Sequence, residues 1–100
     1  MFDNIIKGLS DGMGKSGVYR KITHTNPDKN KEALYFEVGK RASKYNEELG
    51  VISAIMFDSE RSKVFGDVVH NVYIRRPNGE EYLWKELWRD RVIERDIDLD

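Results

Sequence analysis

The Asn78-Gly79 pair constrains this chain more than any other feature. It follows VVHNVYIRR at 68–76 and precedes a second run rich in aromatic and aliphatic residues. That setting predicts a type I′ hairpin turn, in which both central residues take positive φ, as Asn and Gly tolerate. A two-residue turn also sets register: Arg76 then faces Glu81, Arg75 faces Tyr82, Ile74 faces Leu83 and Tyr73 faces Trp84. A competing reading starts a helix at 79, because Asn78 and Glu81 satisfy a capping box and Trp84, Trp88 and Val92 recur every fourth residue. The complementary cross-strand pairs favour the hairpin. RVIERDIDLD at 91–100 then alternates like a closing edge strand, with Ile93, Ile97 and Leu99 on one face and charges that discourage edge pairing.

Upstream, VISAIMF at 51–57 is a short apolar run that predicts a strand buried on both faces. VYRKITHT at 18–25 predicts another, with Val18, Ile22 and His24 on one side. Asn26-Pro27 ends it and suits a helix start. At about 100° per residue, Leu34, Val38, Ala42, Tyr45 and Leu49 fall within an arc of about 80°, and Gly50 stands where a C-cap belongs. Against a helix stand Gly39 in its middle and a charge order, Lys29 and Lys31 before Glu47 and Glu48, that opposes the helix dipole. A strand with Leu34, Phe36 and Val38 alternating after NPDKNK accounts for three residues where the helix accounts for five. The helix over 28–49 is therefore the expectation.

Phe2, Ile5, Ile6 and Leu9 recur at helical spacing, and glycines at 12, 14 and 17 follow, so residues 1–17 read as a short helix and linker before one domain at 18–100. The expected fold is α+β: a small antiparallel sheet of about four strands, a C-terminal meander, packed by one long helix, plus the short N-terminal helix.

One hundred residues build one core. Seventeen Lys plus Arg against eighteen Asp plus Glu leave a net charge of −1, spread locally, which disfavours a nucleic-acid partner held by clustered cations. The absence of cysteine removes disulfides, thiolate catalysis and cysteine zinc sites, and fits a reducing, cytoplasmic setting. No apolar run approaches membrane-spanning length, and the first residues are too polar for a signal peptide, so no membrane is expected.

GMGKS at 12–16 ends like a phosphate-binding loop, and AIMFDSE at 54–60 resembles its partner strand, but the motif needs glycine where Leu9 stands. His24 and His70 lack any metal-ligand spacing and read first as hydrogen-bonded strand histidines; no metal or cofactor is expected. In the expected register Tyr73, Arg75, Tyr82 and Trp84 share one hairpin face, with Arg76 and Lys85 on the other. Such a face anchors a protein interface or stacks bases. It is exposed if Val72, Ile74 and Leu83 turn inward. Phe36, opposite the stripe of the expected helix, and Trp88, beyond the hairpin, add large apolar side chains. The leading functional expectation is a non-enzymatic protein-interaction module (adaptor, inhibitor or small assembly subunit) that presents Tyr73, Arg75, Tyr82, Trp84, Trp88 and Phe36 to a protein partner or to its own copy. The alternative is a small nucleic-acid-binding domain using Tyr73, Arg75, Arg76 and Trp84, with Lys40, Arg41 and Lys44 at phosphates. The third is an enzyme built on His24 and His70.

Overall fold

A computed structural model describes residues 18–25 and 33–97 of the chain. The expected helix and linker at 1–17, the Asn26-Pro27 stop and Leu99 lie outside them. In chain order the elements are β1 (Val18–Tyr19), β2 (Lys21–His24), β3 (Leu34–Glu37), β4 (Arg41–Lys44), β5 (Glu47–Phe57), α1 (Ser59–Phe65), β6 (His70–Arg75), β7 (Glu81–Leu87) and β8 (Val92–Glu94). β5 to β8 form the antiparallel meander expected of the C-terminal half. On the other side of β5, β4 pairs along its start and β1 along its end.

β2 and β3 form a separate two-stranded sheet. Three backbone hydrogen bonds join its base to the rest: Val38 N–H to the Arg20 carbonyl (2.9 Å), Gly39 N–H to Ile52 (2.9 Å) and Ile52 N–H to Lys40 (2.8 Å). The hairpin is thus the bent continuation of β1 and β4, folded back across the meander. It sets Phe36 edge-to-face on Trp84, with ring centroids 6.2 Å apart. The core is sealed between the two layers by Phe36, Ala42, Leu49, Ile52, Ile55, Val72, Ile74, Trp84 and Leu87.

No long helix packs this sheet among the described residues, which corrects the expected α+β architecture. The segment read as a helix over 28–49 supplies β3, β4 and the start of β5. Leu34, Val38, Ala42, Tyr45 and Leu49 owe their helical spacing to strands interrupted by turns. Ala42 and Leu49 are buried from neighbouring strands, whereas Tyr45 is 87% exposed in the turn between them. Tyr45 and Asn46 have φ of 52° and 67°, so the turn with two positive φ values lies here, flanked by the pair Lys44 and Glu47. Gly50 is no helix cap. A Cβ there would lie 2.3 Å from the Arg75 carbonyl oxygen, and its absence lets β5 cross the end of β6.

The Asn78-Gly79 hairpin is present, but its turn differs from the type I′ expectation. Gly79 alone has positive φ (90°), Gly79 N–H bonds to the Arg76 carbonyl at 2.8 Å, and Arg76 N–H bonds to Glu80 at 2.9 Å. Pro77 explains this: its ring sets φ near −65°, the value for the first corner of a type I turn, and it has no N–H to give a strand ladder. The loop is therefore Pro77-Asn78-Gly79. The added residue shifts the register by one, so that Arg75 faces Glu81, Ile74 faces Tyr82 and Tyr73 faces Leu83. A β-bulge between Val72 and Tyr73, with Trp84 as the extra residue, restores the expected register for Val72 with Lys85 and Asn71 with Glu86.

Other strand expectations need smaller corrections. β5 buries Ile52 and Ile55 on one face only, because Val51 is 38% exposed on the other. Ile22 packs against the core and His24 is buried, whereas Val18 is exposed beyond the bend at Arg20. Ile93 pairs with Glu86 on the sheet's outer side, whereas Ile97 packs against the core, so they do not share a face. Among the described residues no helix is long and apolar enough to cross a membrane.

Candidate functional site

The register divides the sequence-nominated residues between two faces. Val72, Ile74 and Tyr82 turn toward the β2–β3 layer, and the bulge carries Trp84 and Lys85 with them. Phe36 (4% exposed) and Trp84 (6%) are buried against each other, and the Lys85 ammonium sits 4.5 Å from the Trp84 ring centroid. Tyr82 is half-buried near the turn, where its hydroxyl donates to Glu80 and is held protonated by that hydrogen bond and by burial. Tyr73 and Arg75 face the opposite, outer side. The expected face of four is therefore split two and two.

On the outer side, Val51 pairs with Arg75 and with Arg41, Ala54 with Tyr73, Met56 with Val18, and Tyr73 with Leu83. A second bulge at Ser53 brings its hydroxyl to Glu81, which also faces Arg75 at 3.7 Å. A band of Val18, Val51, Ala54, Met56, Tyr73 and Leu83 thus runs across four strands, bordered by Arg41, Arg75 and Glu81. Val18 and Val51 are exposed on it, at 68% and 38%, and Ala54, Met56, Tyr73 and Leu83 are half-buried. Arg76 is tied to the Leu49 carbonyl at 3.0 Å, Lys40 lies over Tyr35, and Lys44 lies over Tyr45. Of the seven cations and aromatics of the nucleic-acid reading, Arg41, Tyr73 and Arg75 share the outer side, whereas Arg76, Lys40 and Lys44 are engaged elsewhere and Trp84 is inside.

The outer face is covered at its far end by α1. Asp58 caps the helix, accepting from Arg61 N–H and from the Asn71 amide, both at 2.9 Å. Burial raises its pKa, but the two hydrogen bonds and the Arg61 charge outweigh burial and leave it low. Glu86, 1% exposed, anchors the cover: Arg61 reaches it at 2.6 Å, Arg95 at 2.8 Å, and the Trp88 indole donates at 3.0 Å. Burial again raises the pKa, and the arginines and the indole together bring it below the usual range. Trp88 is buried here, edge-to-face with Phe65. No element is expected from the sequence between the strands at 51–57 and 68–76, so this cluster goes unseen there. The signal was present, since Asp58 and Gly66 bracket the seven residues of α1 as N-cap and left-handed C-cap.

His24 and His70, far apart in sequence, line one cavity of about 350 Å³ together with Ile22, Val68, Leu87 and Trp88. His24 Nε2 lies 2.6 Å from the Trp88 carbonyl oxygen and must be the donor. His24 Nδ1 is buried with no hydrogen-bond partner among the described residues. His70 is flanked edge-on by Tyr19 and Phe57, and burial lowers its pKa, keeping the ring neutral at pH 7. No group of three or more His, Cys, Asp or Glu gathers into a metal site among the described residues.

No family model matches the chain, and neither a curated protein nor a solved structure does so.

Proposed function

We propose that the chain is a protein-interaction module that pairs with a second copy of itself through the outer face of its meander. The observation that supports this reading is the apolar band of Val51, Ala54, Met56, Tyr73 and Leu83, partly exposed among the described residues, on a face whose other end is capped by α1. An isologous interface needs one surface complementary to itself. A two-fold axis parallel to the strands and between β6 and β7 lays Arg75 over Glu81 of the partner subunit and Tyr73 over Leu83 of the partner subunit. Within one copy the Arg75–Glu81 pair is exposed and long at 3.7 Å, so it contributes little where it stands; Arg75 also donates to the Gly79 carbonyl at 2.8 Å and Glu81 accepts from Ser53, so pairing across the axis uses the remaining N–H groups and oxygen. Sheets packed face to face in this aligned way lie about 10 Å apart.

The size of the face sets the strength. Four strands at about 5 Å spacing, each about 20 Å long, give roughly 300–400 Å² per copy, well short of the roughly 800 Å² of a stable interface. The expected pairing is therefore weak and concentration-dependent. Light scattering of the full chain up to about 1 mM should show the mass rising toward that of a dimer, and Leu83→Lys should hold it at the monomer. A strict monomer at the highest concentration, or association that L83K leaves unchanged, overturns the reading.

A further inference from the structure

We infer that residues 2–9 of the same chain dock on the outer band of the meander and compete there with pairing between copies. The docking stands on its own, and the competition rests on the pairing proposed above. Phe2, Ile5, Ile6 and Leu9 are the apolar residues of this stretch, and at about 100° per residue they fall within an arc of about 100°. Eight residues are too few to hold a helix in water by themselves, so that apolar side needs a surface to bury itself against. The band supplies one: Val18 and Val51 are exposed on it, and Ala54, Met56, Tyr73 and Leu83 are half-buried beside them.

Where the chain enters the fold favours this occupant. Val18 lies opposite Met56 at the end of β5, so the residues before it join the sheet at the margin of the band itself. β1 runs antiparallel to β5, which aims the preceding residues toward Phe57 and α1. Glycine at 12, 14 and 17 admits the turn that brings residues 2–9 back over the sheet. The eight residues between, 10–17, span up to about 27 Å, more than the roughly 20 Å of a strand on this face, so the whole band lies within reach. Charge agrees with this placement: Asp3 and Lys7 flank the apolar side, and Arg41, Arg75 and Glu81 border the band. A tether of this length sets an effective concentration of about 1 mM, so a weak contact with a Kd of about 1 mM covers the band roughly half the time. Pairing needs two open bands at once and is thereby weakened roughly fourfold.

The absence of cysteine allows a single spin label to be placed by Asn4→Cys, opposite the apolar side, in the full chain. At about 0.05 mM, far below the concentration at which copies pair, the label should broaden the methyl NMR signals of Val51, Ala54, Met56 and Leu83 much more than those of Ile22 and Leu34 in the β2–β3 layer. Adding Ile5→Ser and Ile6→Ser should level the two sets. Equal broadening of both sets, band broadening that fades on further dilution and so marks a second copy as the occupant, or a difference that survives the serines each overturns the docking. Light scattering of the unlabelled chain near 1 mM reads the competition, where the two serines should strengthen association roughly fourfold. Association that they leave unchanged or weaken overturns the competition. A chain that is monomeric with and without them overturns the pairing, and the competition with it, while the broadening in dilute solution still decides the docking.

Discussion

The two faces of the meander keep their covers by different physics. The inner face is closed by the β2–β3 hairpin through apolar contact: Phe36 on Trp84, with Ile55, Val72 and Ile74 beneath at zero exposure. Among the described residues the outer face is closed at its far end alone, where α1 buries no residue of its own and is held by the Asp58 cap and by the arginines and indole around Glu86. Burial of hydrocarbon does not titrate and is not screened, whereas a charged cluster depends on pH and is weakened by ionic strength. The comparison teaches that stability resides on the inner face and that the outer face is free to be bare.

The largest effect expected from this contrast is on the inner side. Trp84→Ala should cost about 3–5 kcal/mol, combining lost burial with the cavity left under Phe36. Urea unfolding followed through Trp88 fluorescence measures it. A loss no greater than that of an exposed site would mean that the β2–β3 layer is not what closes the core.

The Glu86 cluster should cost less to disturb and should show it through pH. Glu86→Gln is expected to remove about 1–3 kcal/mol near neutral pH, since Glu86 is itself buried while Arg95 keeps access to water. The folded pKa values of Glu86 and Asp58 lie below their ordinary ones, so their contribution is complete above about pH 4.5 and is lost as pH falls through the depressed values. The gap between wild type and E86Q should therefore narrow in acid. His70, also depressed, should contribute a separate and smaller loss that begins near pH 6.5 and that His70→Phe removes. Urea midpoints from pH 7 down to pH 3 read both steps, and a gap for E86Q that stays constant over that range would remove the charge from the account.

How far this division was legible in the sequence depended on whether the deciding contacts were local. The meander was legible because Asn78-Gly79 and the alternation around it are local signals. The turn type was misjudged because Pro77, one residue earlier, decides it, and that single residue moved Tyr73 from Trp84 to Leu83 and split the aromatic face. The segment at 34–49 was misread because its apolar spacing fits a helix as well as three strands broken near Gly39 and at Tyr45. The turn there uses a tyrosine at φ 52°, a choice that carries no turn signature. The meeting of His24 with His70, and of Arg61 with Glu86, is set by tertiary folding, so no local pattern announces either.

The smallest expected effect separates the faces most cleanly. Two ion pairs can be compared by double-mutant cycles at a concentration where the chain is monomeric: Arg75 with Glu81 on the bare band, and Arg95 with Glu86 under α1. The first pair is 3.7 Å apart, with both side chains well exposed, so water and salt screen it and its coupling should be below about 0.5 kcal/mol. The second is 2.8 Å long and ends on a buried carboxylate, so its coupling should be clearly larger and should persist at high salt. Arg75→Ala should accordingly leave the urea midpoint nearly unchanged while weakening association at high concentration. If the Arg75–Glu81 coupling matched that of Arg95–Glu86, the pair would be a structural clasp of the monomer, with no charge left over to pair across a two-fold axis.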